Sequence, residues 1–298
     1  MDLETLNERF ALPGRLEFVA GPGGMPHARM QAGRYGCEVA LHGGHVVQYG
    51  AAGEPPILWV SRQAVYAPGK AIRGGIPVCW PWFGPHPSDP AKPAHGFART
   101  RPWQAIGSGE TGDGVWLRLG LQSDETTLAL WPHQFQLELT ITVGPQLDLA
   151  LTAHNPGDAP FSFGGALHSY FTVADVTQAS VEGLEGARYI DQLTGEERRQ
   201  EGPVTVADEV DRVYFDPGPS CAIRDPLLGR RITVTKAGSG TTVVWNPWRE
   251  KAARLADFAD DEYPGMLCVE TALALGDRVT LAPGASHTLR ATIAAEPL

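Results

Sequence analysis

Apolar and polar residues alternate strictly from Gln134 to Val143, and this pattern restricts the fold more than any other feature of the chain. The apolar members are Phe135, Leu137, Leu139, Ile141 and Val143. A repeat of two residues places successive side chains on opposite faces of a β-strand, whereas a helix repeats every 3.6 residues. The segment is therefore predicted to be a strand with one buried face and one face in water.

A similar but less regular alternation recurs in short segments along the chain. These are Arg15–Val19, Cys37–Leu41, Ile57–Val60, Val115–Leu121, Leu147–Ala153, Arg231–Thr235, Thr241–Trp245 and His287–Ile293. Turn-forming runs such as Gly21–Gly24 and Asp216–Pro219 lie between them. Helical periodicity is fair only in Asp2–Phe10 and Arg249–Phe258. The pattern predicts an all-β fold, a large antiparallel β-sandwich with few short helices.

The 298 residues contain no internal repeat and no linker of distinct composition. A β-sandwich can exceed two hundred residues as one unit, so residues 1–298 are expected to form a single domain. A hydrophobic fraction of 43% and a charged fraction of 19% are enough to build a substantial core.

The chain is acidic, with 34 Asp and Glu against 24 Lys and Arg and a formal net charge of −10. This charge disfavours nucleic acid and anionic lipid as partners, so an anionic ligand would need a local cluster of basic residues. No apolar run approaches the roughly 20 residues of a membrane span, and the first ten residues lack the features of a signal peptide. The expected location is the cytoplasm.

Four cysteines are spread along the chain without a CxxC pair. They are Cys37, Cys79, Cys221 and Cys268. Their spacing favours reduced, buried thiols over a disulfide framework or a zinc site. The pair His42 and His45 has a spacing that would suit a metal, but no third ligand of matching character follows nearby. No metal site is predicted.

A stretch rich in glycine, proline and aromatic residues runs from Gln63 to Gly84, and His95–Arg99 follows soon after. Its aromatic residues Trp80, Trp82 and Phe83 could stack on the apolar face of a sugar ring. Arg73 and Arg99 would supply local positive charge, because guanidinium groups match phosphate oxygens. The alternative is that the aromatic residues belong to the core and the arginines form surface ion pairs.

Two titratable residues lie within apolar, strand-like runs. His168 is in the run Gly164–Val173, where a histidine is most often a hydrogen-bonded core residue. Glu270 is in Met266–Ala272, where burial of a carboxylate is costly unless it is paired or protonated. The serines lack a GxSxG context, and no phosphate-binding loop or dinucleotide motif is found.

Read together, these segments resemble the glucose-6-phosphate 1-epimerase branch of the aldose 1-epimerase (mutarotase) superfamily. The matching stretches are Ile72–Gly84 (IRGGIPVCWPWFG), His95–Arg99 (HGFAR), Ala166–Phe171 (ALHSYF), Asp211–Tyr214 (DRVY), Val244–Trp248 (VWNPW) and Asp257–Glu270 (DFADDEYPGMLCVE). The resemblance implies a galactose-mutarotase-like β-supersandwich, a usually monomeric enzyme, and activity without a metal or other cofactor. The implied substrate is a small-molecule sugar phosphate, with glucose 6-phosphate expected.

The resemblance also implies roles for individual residues. His168 corresponds to the catalytic acid and Glu270 to the catalytic base, and these roles would require a protonated imidazole and an ionised carboxylate. The implied substrate-binding residues are Arg73, His95, Arg99 and Asp211, with the arginines on the phosphate, Asp211 on sugar hydroxyls and His95 on the ring oxygen. The residue before HGFAR is often Gln in relatives and is Ala94 here, which removes one polar contact and bears on which hexose is preferred.

Three other functions are compatible with the same residues. They are a carbohydrate-binding module without catalysis, an epimerase of an unphosphorylated aldose, and a regulatory partner protein that retains the fold. Fold alone does not separate them, since one fold can serve many functions. The acid and base pair favours catalysis, and the two arginines favour a phosphorylated sugar.

Overall fold

A computed structural model of the protein describes residues 1–112 and 114–298. The strands found there are β1 Leu16–Ala20, β2 Pro26–Ala32, β3 Tyr35–Ala40, β4 His45–Ala51, β5 Val78–Cys79, β6 Gln104–Thr111, β7 Gly114–Gln122, β8 Gln136–Val143, β9 Gln146–His154, β10 Phe161–Phe163, β11 Gly165–Leu167, β12 Tyr170–Thr172, β13 Ser180–Glu182, β14 Arg188–Asp191, β15 Glu197–Arg199, β16 Val204–Thr205, β17 Val210–Phe215, β18 Ser220–Asp225, β19 Arg230–Ala237, β20 Thr241–Asn246, β21 Met266–Leu273, β22 Val279–Leu281 and β23 Ser286–Pro297. The helices are α1 Leu3–Phe10, α2 Glu125–Leu130 and α3 Trp248–Ala252, and short 3₁₀ turns span Pro22–Gly24, Ala98–Thr100 and Tyr263–Gly265.

The largest sheet has nine strands in the order β16-β13-β18-β19-β23-β9-β8-β7-β6. Its long central strands pair in antiparallel registers that run without interruption, as in β8 with β9. On β8 the side chains of Leu137, Leu139, Ile141 and Val143 are buried, whereas the residues between them are half-buried or exposed. The sheet thus packs on the core with one face only.

A second sheet has eight strands in the order β15-β14-β17-β20-β21-β11-β5, and β12 also pairs with β21. Every residue of β20 and β21 is buried. On β21 the side chains of Leu267, Val269 and Leu273 join the main core. Cys268 and Ala272 join a second apolar cluster on the opposite face, together with residues of loops. The sheet is therefore covered on both faces.

Two smaller sheets complete the fold. One has four strands in the order β1-β2-β3-β4, and the other consists of β10 paired with β22. The main core takes residues from Leu6 near one end of the chain to Ile293 near the other. The single domain stays a prediction, which this shared core supports.

The predicted strands largely agree with the structure. The alternating segments correspond to β1, β3, β7, β8, β9, β19, β20 and β23, with ends that differ by a few residues. The predicted N-terminal helix is α1, and the Asp2 side chain caps it by accepting a hydrogen bond from the Thr5 N–H at 2.9 Å. No helix in the described residues is both long and apolar enough to cross a membrane.

Two predicted elements are wrong. Ile57–Val60 makes only isolated bridges, from Leu58 to Phe171 and from Val60 to Gly74, and is no strand. Arg249–Phe258 is helical only within α3, because the chain turns away after Ala252 and brings Phe258 against Trp59 at 4.9 Å between ring centroids. Helix α2 was not predicted from periodicity, although Asp124 and Thr127 form its capping box.

Candidate active site

A cavity of about 580 Å³ opens on the loop-covered face of the eight-stranded sheet. All six residues that the sequence suggested for catalysis or substrate binding line it, namely Arg73, His95, Arg99, His168, Asp211 and Glu270. Trp82 and Phe83 line it as well, and their stacking on a sugar ring stays a prediction. Trp80 does not, and its predicted sugar contact is wrong: the ring is fully buried in the core against Phe135, at 4.5 Å between centroids.

His168 lies at a break between two strands. It follows β11 and precedes β12, and both of these strands pair with β21. Its ring stacks on the ring of Tyr170 with centroids 4.7 Å apart and an angle of 7° between the planes. The short stacking distance fixes the orientation of the imidazole. Because His168 lies between the two strands and not within either, its side chain forms part of the cavity wall.

Glu270 is in the middle of β21, opposite Val243 of β20. Its Oε1 lies 3.5 Å from Nδ1 of His168. Among the described residues, neither His168 Nδ1 nor Glu270 Oε2 has a hydrogen-bond partner, although both atoms are buried. Buried polar atoms almost always have partners, and those that lack them in a cavity wall are suited to bind a ligand.

Burial determines the protonation of this pair. Desolvation lowers the pKa of His168 well below its usual value, and His95 and two arginines nearby lower it further. Desolvation raises the pKa of Glu270 well above its usual value, with a further contribution from Asp211. The empty site therefore favours a neutral imidazole and a protonated carboxyl. These directions oppose the protonated His168 and ionised Glu270 that the catalytic roles require, because burial without hydrogen bonds disfavours both charges.

His95 presents a fixed hydrogen-bond donor to the cavity. Its Nδ1 accepts the backbone N–H of Gly84 at 3.3 Å, and its ring packs edge-on against Phe83 at 4.8 Å. Burial lowers the pKa of His95 to about 3, and Arg99 and Arg73 contribute. The ring is therefore neutral at physiological pH. Because Nδ1 is an acceptor, the proton is on Nε2, which has no protein partner in the described part of the chain.

The two arginines differ in their surroundings. Arg73 is paired: Nε and Nη2 each lie 3.1 Å from Oδ1 of Asp257, and Nη1 donates to the hydroxyl of Tyr170 at 3.1 Å. Arg99 donates from Nη2 to the carbonyl oxygen of Ala94 at 3.0 Å, and no ion pair of its guanidinium is found among the described residues. Arg99 is therefore the one of the two whose charge is not already balanced by a carboxylate.

Asp211 is on β17, opposite Trp245 of β20. Its Oδ2 lies 3.7 Å from Nζ of Lys251, and the same Nζ is 2.6 Å from Oε1 of Glu209. Burial raises the pKa of Asp211 to about 6, although Lys251 acts in the opposite direction. The carboxylate can accept hydrogen bonds from hydroxyl groups in the cavity when it is ionised.

Several lining residues were not assigned any role from the sequence. They include Tyr170, Gln192, Trp245, Lys251, Leu275 and Arg278. Tyr170 and Trp245 lie in stretches that carry the family resemblance. The sequence motif was recognised, but it did not indicate that these two side chains line the cavity. Lys251 is in the segment that periodicity assigned to a helix face, and its position beside Asp211 depends on the pairing of distant strands.

His42 and His45, whose spacing suggested a metal pair, are bound to the loop that carries Arg73. His42 Nε2 lies 2.7 Å from the carbonyl oxygen of Lys70, and His45 Nε2 lies 2.6 Å from that of Gly74. Since a carbonyl only accepts, both imidazoles donate from Nε2. A Cβ at Gly75 would lie 2.9 Å from the His45 ring, so the loop and the histidine are in close contact.

Comparison with known proteins agrees with this architecture. The crystal structure of "a putative mutarotase" from Salmonella typhimurium superposes with a TM-score of 0.90 at 33% identity, covering 97% of this chain and 96% of that one. The antiparallel sandwich of the galactose-mutarotase type, with few short helices, is thereby confirmed. It places the chain in the structural class of mutarotases.

Sequence comparison identifies the family. The model of the family "Aldose 1-epimerase" matches residues 26–294. A protein of Cenchrus ciliaris named "Putative glucose-6-phosphate 1-epimerase" is 38% identical over 94% of this chain and 88% of its own length. A protein of the same name from Escherichia coli is 40% identical over 79% of each chain. The chain belongs to the aldose 1-epimerase family.

Proposed function

We propose that the protein interconverts the α and β anomers of a hexose 6-phosphate, with glucose 6-phosphate as the expected substrate. His168 would serve as the acid and Glu270 as the base. The observation that carries the proposal is the pair itself: an imidazole and a carboxyl group 3.5 Å apart in the wall of one cavity, beside the guanidinium groups of Arg73 and Arg99. The printed names of the relatives support the choice of substrate.

The chemistry requires two proton transfers. Glu270 takes the proton from the C1 hydroxyl while His168 gives a proton to the ring oxygen. The bond between C1 and the ring oxygen breaks, its electron pair stays on that oxygen, and C1 becomes an aldehyde. Rotation about the C1–C2 bond and the reverse transfers close the ring on the other face. Each positioned proton transfer contributes typically about 10²- to 10⁴-fold.

The protonation state of the empty site fits this cycle. Ring opening converts an ionised Glu270 and a protonated His168 into a neutral acid and a neutral imidazole, which is the arrangement that burial favours. The bound sugar stabilises the ionised arrangement, because its C1 hydroxyl donates to the carboxylate and its ring oxygen accepts from the imidazolium. Both arrangements carry one proton. The reaction stops when the His168–Glu270 pair gains a second proton at low pH or loses its shared proton at high pH. The rate is therefore expected to have a bell-shaped pH profile.

The other lining residues bind the substrate in this proposal. His95 donates from Nε2 to the ring oxygen region, and Asp211 accepts from sugar hydroxyls. Arg73 and Arg99 bind the phosphate, and Arg99 carries the larger share because Asp257 already balances Arg73. Trp82 and Phe83 stack on the apolar face of the sugar.

The test measures anomerisation of glucose 6-phosphate and of free glucose by NMR exchange spectroscopy. Arg99→Ala is expected to raise KM for the phosphorylated sugar by about tenfold to a hundredfold, since a hydrogen bond to a charged group is worth about 1.5–3 kcal/mol. Free glucose is expected to react at an unchanged rate. The matched control is Arg101→Ala, two residues further along and outside the cavity lining. Equal losses for both sugars would contradict the phosphate role.

An unphosphorylated aldose is the second candidate substrate. The observation that favours it is the pairing of Arg73 with Asp257, which leaves one less unbalanced positive charge for a phosphate. If this candidate is correct, wild-type protein acts faster on the free sugar than on its 6-phosphate, and Arg99→Ala leaves that preference unchanged.

We further infer a cytoplasmic monomer. The four free, buried thiols support a reducing compartment. Light scattering after gel filtration tests the oligomeric state: a mass near 32.0 kDa is expected, and a stable multiple of it would contradict the inference.

A further inference from the structure

Three side chains with metal-binding atoms converge behind the cavity wall, and two of them, His168 and Glu270, line the cavity. His168, Cys268 and Glu270 each offer one ligand atom, and these atoms all lie within 4.8 Å of one another. The proposed reaction uses the histidine and the glutamate. It does not use the thiol, so the cluster contains one reactive group more than the chemistry needs.

The sheet accounts for the convergence. Cys268 and Glu270 are two residues apart on β21, so both side chains leave the same face of the strand. Tyr170, on the neighbouring strand β12, is the residue opposite Cys268, and His168 lies two residues before Tyr170. The three groups therefore meet because of strand register, although nothing in their spacing along the chain resembles a metal motif.

Two of the three groups each have a buried polar atom without a hydrogen-bond partner in the described part of the chain. His168 Nδ1 and Glu270 Oε2 are buried and make no hydrogen bond, and Cys268 is a fully buried free thiol. Leaving buried polar atoms unpaired is unfavourable, and a ligand that reaches them would recover part of that loss. The route is open, since His168 and Glu270 both line the cavity.

We propose that His168, Cys268 and Glu270 form a binding site for Zn²⁺, and that the bound ion inhibits the enzyme. Nitrogen, sulfur and oxygen ligands are those that zinc takes, at about 2.0–2.3 Å. Ligand atoms around one tetrahedral ion are then roughly 3.3–3.8 Å apart. Small side-chain movements within the observed 4.8 Å reach that separation. A water molecule completes the fourth position.

Charge balance favours the complex. The thiol and the carboxyl each release a proton to solvent when the ion binds, and the resulting two negative charges neutralise the dication. Zinc binding is therefore expected to tighten as the pH rises. Asp257 balances the charge of the nearby Arg73, whereas Arg99, for which no ion pair is found among the described residues, still repels the ion.

Inhibition follows from the choice of ligands. The ion would occupy a ring nitrogen of His168 and the carboxylate of Glu270, which are the acid and base of the proposed reaction. Zinc and sugar phosphate would then exclude one another. The inhibition depends on the proposed function, whereas the binding of the ion does not.

Binding is tested without any activity measurement. Chelator-treated full-length protein is titrated with Zn²⁺ by calorimetry, and with Co²⁺ while the near-ultraviolet band of a cobalt–thiolate bond is followed. One ion per chain is expected. Cys268→Ser is expected to weaken binding by at least about tenfold, the lower end of the loss seen when even an outer partner of a metal ligand is removed. It is also expected to abolish the thiolate band.

The matched control is Cys37→Ser, which alters another buried thiol, on β3 of the four-stranded sheet, and is expected to leave binding unchanged. Cys268→Ala is measured beside Cys268→Ser, so that a folding defect of one variant does not decide the result. Equal zinc affinity of wild type and both Cys268 variants, or an absence of binding by wild type, would overturn the proposal.

Activity provides a second readout. Zinc is expected to inhibit anomerisation competitively with the sugar phosphate, and a chelator to restore the full rate. Relative to its own zinc-free rate, Cys268→Ser is expected to need at least about tenfold more zinc for the same fractional inhibition. Identical inhibition of this variant and wild type overturns the proposal. If the protein has no anomerase activity, the cobalt band still tests the metal site, so the two proposals fail separately.

Discussion

The two large sheets share one core but differ in what covers their other face. The nine-stranded sheet leaves its second face to solvent, and β8 accordingly alternates between buried and partly exposed residues. The eight-stranded sheet is covered by loops, so β20 and β21 are buried throughout. Glu270 is on that covered face and lines the cavity. Desolvation can raise the pKa of a carboxyl group strongly only where water is excluded, so the covered sheet, and not the half-exposed one, offers a suitable place for the candidate site.

The largest effect is expected on kcat, when one glutamate on each large sheet is replaced by glutamine and the two variants are compared. Glu270→Gln removes the proposed base and is expected to lower kcat for anomerisation about 10²- to 10⁴-fold with the fold retained. Glu138→Gln alters a glutamate on β8 that forms a surface ion pair with Arg118 and is expected to leave kcat unchanged. Stopped-flow or NMR rates of the two purified variants make the comparison. Full activity of Glu270→Gln would contradict the assignment of the base.

The next effect is expected on the stability of the nine-stranded sheet. Leu139→Ala removes a fully buried side chain and is expected to lower the free energy of unfolding by about 2–5 kcal/mol. Thr140→Ala, on the other face of β8, is expected to change it by less than about 0.5 kcal/mol. Denaturant unfolding measures both. The rate per folded molecule is expected to stay unchanged. A loss of kcat in folded Leu139→Ala would contradict the view that the nine-stranded sheet does not affect the active site.

A smaller effect is expected where the four-stranded sheet supports the site. His45→Ala removes the donor to the carbonyl of Gly74 and releases the loop that carries Arg73. An unpaired buried carbonyl costs about 1–3 kcal/mol, which here lowers the stability of the loop conformation that positions Arg73. KM for glucose 6-phosphate is therefore expected to rise by about tenfold while kcat changes little. His45→Gln retains a donor and is expected to recover part of the loss. A fall in kcat at constant KM would show that His45 does not act through Arg73.

The smallest effect is expected from the titration of Asp211. Its pKa of about 6 means that the folded protein holds this proton to a higher pH than the unfolded chain does, where the value is near 3.8. The carboxylate is lost as the pH falls through about 6, so KM is expected to rise several-fold between pH 7 and pH 5. Asp211→Asn is expected to abolish that pH dependence of KM. If KM of Asp211→Asn depends on pH as it does in the wild type, another group is responsible for that dependence.

Asp211 also links the site to stability. Because the raised pKa lets the folded state bind the proton more tightly, the contribution of this group to stability falls as the pH rises from about 4 to about 6. Thermal unfolding across that range, with Asp211→Asn as reference, measures the effect. The covered sheet thus carries a group that costs stability at neutral pH.

The regular sheet was predictable and the covered one only in part. β8 and β9 have the two-residue period of a half-buried sheet, so composition and spacing were enough. β5, β11 and β12 have two or three residues each and show no period. Ile57–Val60 has the composition of a strand but makes only isolated bridges, because tertiary packing overrides local propensity.

The site residues came from family resemblance, and their environment came from the structure. The six suggested residues line one cavity, but the pKa shifts of His168 and Glu270 depend on burial by loops that no pattern describes. The same holds for Cys268 beside His168, which depends on strand register. The ion pair of Arg73 with Asp257 joins residues far apart in the chain and could not be predicted from spacing.

The backbone N–H of Gly84 that binds Nδ1 of His95 has a consequence for ligand choice. It prevents the ring from offering a lone pair to the cavity, so His95 can bind only ligand atoms that accept a hydrogen bond from Nε2. A carbocyclic analogue, in which a methylene group replaces the ring oxygen, would meet that donor with nothing to offer. Such a compound is expected to bind far more weakly than its parent sugar, even though the two have nearly the same shape.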